Sequence, residues 1–103
     1  MFIINLTYIV PLEQLDAHMT DHVKFLNTYY KQHVFLTSGR KVPRTGGIII
    51  AIGKSREAIE AIMQEDPFCV HGLAEFTVTE FLNSQMHPVF KKMMTFRQAQ
   101  GST

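Results

Sequence analysis

The hydrophobic pattern of residues 2–82 switches between a period of two and a period near 3.6 four times, and the order of those switches admits few folds. FIINLTYI (2–9) is rich in β-branched and aromatic residues and apolar on both alternating faces, Ile4, Leu6 and Tyr8 against Ile3 and Ile9, as a central strand is. Pro11 opens a helix expected to run to about Gln32, its fixed φ and missing N–H suiting a first turn, with Glu13 and Asp16 placed where the macrodipole favours negative charge. VFLTS (34–38) and GGIIIAIG (46–53) read as strands two and three. The connection GRKVPRTGG between them holds the glycines and proline of a mobile hairpin loop. SREAIEAIMQE (55–65) is a second helix, N-capped by Ser55, with Ala58, Ile59, Ile62 and Met63 as its apolar face and Pro67 as its stop. LAEFTVTEFL (73–82) alternates Ala74, Phe76 and Val78 with Glu75, Thr77 and Thr79, a strand with one buried face.

The order βαββαβ specifies an α+β, ferredoxin-like domain: a four-stranded antiparallel sheet with two helices on one face, placed there by right-handed crossovers. Two helices cover only one face, yet strands one and three are apolar or bulky on both. The uncovered face is therefore expected to meet a second copy, giving a homodimeric α+β barrel. HPVFKKMMTF (87–96) repeats Val89, Phe90, Met93 and Met94 at helical spacing outside this core. It reads as a short helix that either packs on the partner or caps its own sheet edge. The chain thus divides into a domain over 1–83 and an extension over 84–103, whose tail QAQGST is expected to fray.

At 103 residues one domain is expected, and ten basic against nine acidic side chains leave no field strong enough to suggest nucleic acid. One cysteine, Cys69, allows neither an intrachain disulfide nor a thiolate cluster and fits a reducing compartment. The longest apolar run, around Ile48–Ile52, falls far short of the roughly 20 residues of a membrane span, and the N-terminus carries no signal-peptide pattern. A cytoplasmic protein is the expectation.

His22, in DHVKFL, interrupts the helical stripe Leu12, Leu15, Met19, Leu26 and Tyr29, so the first helix turns an imidazole toward the sheet. Such a ring is either a core histidine bonded to a carbonyl or a general acid or base tuned by a carboxylate. Asp66 is a candidate partner: it precedes a proline and ends the second helix, where the macrodipole disfavours its charge. It serves either that role or a local turn bond. His18 stands one turn before His22, but HMTDH lacks the glutamate of HExxH, and no metal is assigned. His33, His71 and His87 fall in or beside loops. Ser38, Gly39 and Arg40 close strand two, either as a turn with an exposed cation or as an anion clamp at a pocket mouth, backed by a loop that Gly39, Gly46 and Gly47 let move; Lys41 and Arg44 read as part of a solvated turn.

The ordered set HVKFL, FLTSG, GGIIIAIG, SREAIEAIMQEDPF and LAEFTVTEF resembles the YciI-like, or YCII-related, family over residues 1 to about 83. The resemblance implies a dimeric α+β barrel with a histidine–aspartate centre in a cleft. By position, His22 matches the family histidine and Asp66 the aspartate of the DPF motif, which Pro67 and Phe68 complete. Where relatives have an acidic, glycine-rich turn, this chain has SGRKVPRTGG with Arg40 and Arg44. The chemistry implied is that of a cofactor-independent lyase or isomerase acting on a small organic molecule, dehydrochlorinase-like or muconolactone-isomerase-like. A non-catalytic metabolite-binding or assembly module is the alternative.

Overall fold

The computed structural model describes the backbone of residues 1–101 and the side chains of residues 1–95. The elements run β1 (Phe2–Tyr8), α1 (Leu12–Asp16), α2 (Met19–Lys31), β2 (Phe35–Arg40), β3 (Gly46–Ala51), α3 (Arg56–Met63), α4 (Pro67–Val70), β4 (Ala74–Glu80) and α5 (Pro88–Gly101). The strands form one antiparallel sheet in the order β2-β3-β1-β4, with Ile4 opposite both Ile49 and Val78. The helices of the domain lie on one face. There Ile4, Ile49, Ala51 and Val78 pack with Leu15, Phe25, Ile59 and Met63 in a single buried cluster. The opposite face carries half-buried Ile3, Ile48 and Ile50 beside exposed Asn5, Thr7, Thr77 and Thr79. Among the described residues no helix is long and apolar enough to cross a membrane.

Three departures from the sequence pattern bear on function. First, the single helix expected from Pro11 to Gln32 is two. His18 donates its N–H to Leu15 at 3.0 Å, a tight i→i+3 closure, and α2 begins afresh at Met19. The helical phase is not carried through the joint, so Phe25 joins Tyr29 in the core while Met19 and Leu26 are only half-buried. Second, β2 carries a bulge: Phe35 faces Ala51 and Thr37 faces Ile50, two residues against one. The alternation flips there. Ser38 and Arg40, opposite Ile49 and Gly47, consequently share the helix-covered side that unbroken alternation would have given to Thr37 and Gly39. Third, Asp66 lies three residues past the end of α3 and is the N-cap of a further short helix, α4, with Pro67 in its first turn. Its charge faces the positive end of a helix, which removes the apparent misplacement.

The C-terminal extension forms α5, longer than the short helix expected, with Val89 and Met93 exposed. Side chains from residue 96 onward and the backbone of 102–103 lie outside the described residues; the backbone of 98–101, expected to fray, is helical.

Gly46 is not a loop hinge. A Cβ there would stand 1.8 Å from the backbone oxygen of Leu6, so β3 approaches β1 only because the side chain is missing. Gly39 has nothing within 4 Å of such an atom. Gly46→Ala is expected to cost about 3 kcal/mol or to prevent folding, whereas Gly39→Ala should stay within about 0.5 kcal/mol of wild type, as read from urea denaturation.

Candidate functional site

α2 and the α3–α4 junction bring the two suspected residues together. His22 Nδ1 lies 2.8 Å from Asp66 Oδ1, and the same oxygen accepts the Phe68 N–H at 3.0 Å. Asp66 is wholly buried, and its Oδ2 has no partner among the described residues. Both readings of Asp66, turn bond and dyad partner, therefore describe one oxygen. An ionised carboxylate only accepts hydrogen bonds, so opposite one the neutral imidazole carries its proton on Nδ1. Nε2 is left with its lone pair and no hydrogen bond among the described residues. Phe68 stacks on the imidazole at a centroid distance of 4.1 Å and an interplanar angle of 7°, fixing the ring's plane.

His22 lines a cavity of about 160 Å³ between α2 and the β1, β2 and β3 strands. Leu6, Leu26 and Ile49 give it apolar walls. Its polar groups are Tyr8, Ser38, Arg40 and Arg44 together with His22. The Ser38 hydroxyl is 2.5 Å from that of Tyr30, and the bulge in β2 is what turns Ser38 and Arg40 this way. Arg44 Nη2 donates to Asp16 Oδ1 at 2.6 Å, tying the β2–β3 loop to α1. That hydrogen bond raises the pKa of the guanidinium further, against the opposing effect of burial.

Of the residues singled out from sequence, His22, Ser38, Gly39 and Arg40 line this cavity, and Asp66 stands behind His22. Pro67 and Phe68 do not line it: one opens α4 and the other is the plate under the imidazole. Sequence reasoning gave Arg44 no role of its own, reading it as part of a solvated turn in a loop expected to rim the pocket, and read Tyr8 only as a strand residue; both line the cavity. Tyr8 was recoverable, because it shares the inward parity of Leu6; nothing local to Arg44 announces Asp16. His18 does not pair with His22 but stacks on His71 at 4.2 Å. Among the described residues no three His, Cys, Asp or Glu side chains gather as metal ligands.

Residues 1–82 match the YCII-related domain family. No curated protein matches the chain. Among solved structures, the chain is similar to 5-chloro-2-hydroxyhydroquinone dehydrochlorinase from Burkholderia phenoliruptrix AC1100, determined in complex with 2,5-dihydroxybenzoquinone, with a TM-score of 0.66 and 17% identity over 80% of this chain and 94% of that one. At that identity the likeness establishes the fold.

Two outcomes follow from this geometry. Asp66→Ala leaves the Phe68 N–H and the His22 Nδ1–H without an acceptor and should destabilise the protein by about 2–4 kcal/mol, measured by urea denaturation. Burial, then the Asp66 charge, pushes the Cys69 thiol from 9.0 up to about 12; burial, then the Glu65 hydrogen bond and charge, pushes the Tyr29 phenol from 10.0 up to about 12. Both are acids whose protons the folded state retains and the unfolded state releases, so stability should fall as pH rises from about 9 to 12. Tyr29→Phe should flatten the upper part of that decline in denaturation midpoints taken across the range.

Proposed function

The chain belongs to the YCII-related domain family, and on that footing we propose that it is a small acid–base enzyme of lyase or isomerase type that acts on a small organic molecule without a cofactor. The observation that carries this is the His22–Asp66 hydrogen bond with Nε2 left bare beside a cavity. Nε2 is the base. It removes a proton from carbon or hydroxyl, and the imidazolium that forms is balanced by the carboxylate 2.8 Å from Nδ1. Arg40, or backbone N–H groups near Gly39, hold the negative charge that develops on a substrate oxygen, and Ser38 contributes its hydroxyl.

In an elimination the electron pair of the broken bond to hydrogen forms a new π bond, the carbon–halogen bond breaks, halide leaves, and Nε2 later returns its proton to water. In an isomerisation the same proton is delivered to another carbon. The similarity to a chlorohydroxyhydroquinone dehydrochlorinase makes chlorinated hydroquinones the first compounds to try. The reading includes a homodimer in which a second copy covers Ile3, Ile48 and Ile50 on the open sheet face.

Chloride release from 5-chloro-2-hydroxyhydroquinone, with solvent-deuterium exchange into enolisable phenols as a broader screen, tests the proposal. Wild type should turn over at least one compound, and His22→Ala should lose about 10²- to 10⁴-fold in kcat with substrate affinity largely kept. Equal turnover by His22→Ala would overturn the assignment, and binding without exchange would favour a metabolite-binding module.

A further inference from the structure

We infer that the cavity selects a single-ring organic anion and that Arg44, latched to Asp16, is the residue that makes the selection. The inference deepens the acid–base reading by naming its substrate class, and it rests on that reading for the reaction alone. Among the described residues lining the cavity are two guanidinium groups and no carboxylate. Asp66, a wholly buried carboxylate, is engaged behind the imidazole by His22 and the Phe68 N–H.

The two arginines differ. Arg40 is exposed, and its side chain makes no hydrogen bond or ion pair among the described residues. Arg44 is largely covered: Nη2 is committed to Asp16, the Tyr8 hydroxyl faces the guanidinium, and Nε is shielded from solvent with no acceptor. A covered N–H without an acceptor is an unfavourable arrangement that an incoming anion relieves, and a guanidinium fork suits a planar carboxylate or phenolate better than a point charge does. The latch also sets the charge of the occupant. Asp16 offsets one of the two arginines, leaving one positive charge on this side of the cleft, which matches a monoanion.

Size and polarity limit the rest of the ligand. Cavities of about 150 Å³ with apolar linings accept benzene, so about 160 Å³ walled by Leu6, Leu26 and Ile49 has room for one ring. A purely structural role for the Arg44–Asp16 pair, tying the β2–β3 loop to α1, accounts for Nη2 but not for the orphaned Nε or for the unpaired Arg40 beside it.

Benzoate and its neutral isostere benzamide separate these roles by titration calorimetry. Wild type should bind benzoate at least about tenfold more tightly than benzamide, with the benzoate affinity alone weakening as salt is added. Arg44→Ala should abolish the preference, and Arg44→Lys, which keeps the charge and loses the fork, should reduce it even if the alanine variant fails to fold. Equal affinities in wild type, or a preference that survives Arg44→Ala, would overturn the inference. His22→Ala should retain the preference, so a protein that selects benzoate yet catalyses nothing would refute only the acid–base reading. An active protein indifferent to the charge would refute only this one.

Discussion

The 2.8 Å hydrogen bond between His22 and Asp66 is the interaction on which the site's geometry depends, because it joins α2 to the α3–α4 junction across the sheet's covered face. Burying a carboxylate completely is unfavourable unless donors replace the lost water, and here two do: the imidazole Nδ1–H and the Phe68 N–H. The arrangement constrains every participant. Asp66 must cap α4, Pro67 must start that helix, Phe68 must lie flat beneath the ring, and the imidazole must hold its proton on the Asp66 side. The free Nε2 is thus a consequence of how a buried carboxylate is satisfied.

Around this fixed pair the rest of the cleft is built from parts with different freedoms. The apolar walls come from β1, β3 and α2, all held by the core. The cations come from the end of β2 and the loop after it, outside the buried core cluster. The His22–Asp66 pair and the cations accordingly sit on separate elements, the pair on α2 and the α3–α4 junction and the arginines on β2 and the loop after it.

Much of this was legible in the residues. Strict alternation in β4, the apolar run in β3, Ser55 as a cap and the order of periods led to the observed sheet, with the ends of the four strands and of α3 within two residues of those expected. His22 stood out because an imidazole on an apolar stripe needs a partner, and Asp66 because a charge at a helix end before proline needs a reason. What was not legible depended on contacts between distant segments. The joint at His18 shifts the helical phase, and the β2 bulge decides which side Ser38 and Arg40 face; neither leaves a local trace. Gly46 looked like loop punctuation because its requirement lies in Leu6, forty residues away along the chain and adjacent in the sheet. Arg44 looked solvated because Asp16, its partner, belongs to another element.

The central claim, that Asp66 sets the proton on the inner nitrogen of His22 and leaves the outer one bare, is tested most directly by nitrogen-15 NMR of the imidazole at neutral pH. The account predicts a single tautomer, Nδ1 protonated and Nε2 unprotonated. A ring protonated on Nε2, or one averaging between both tautomers, would contradict it.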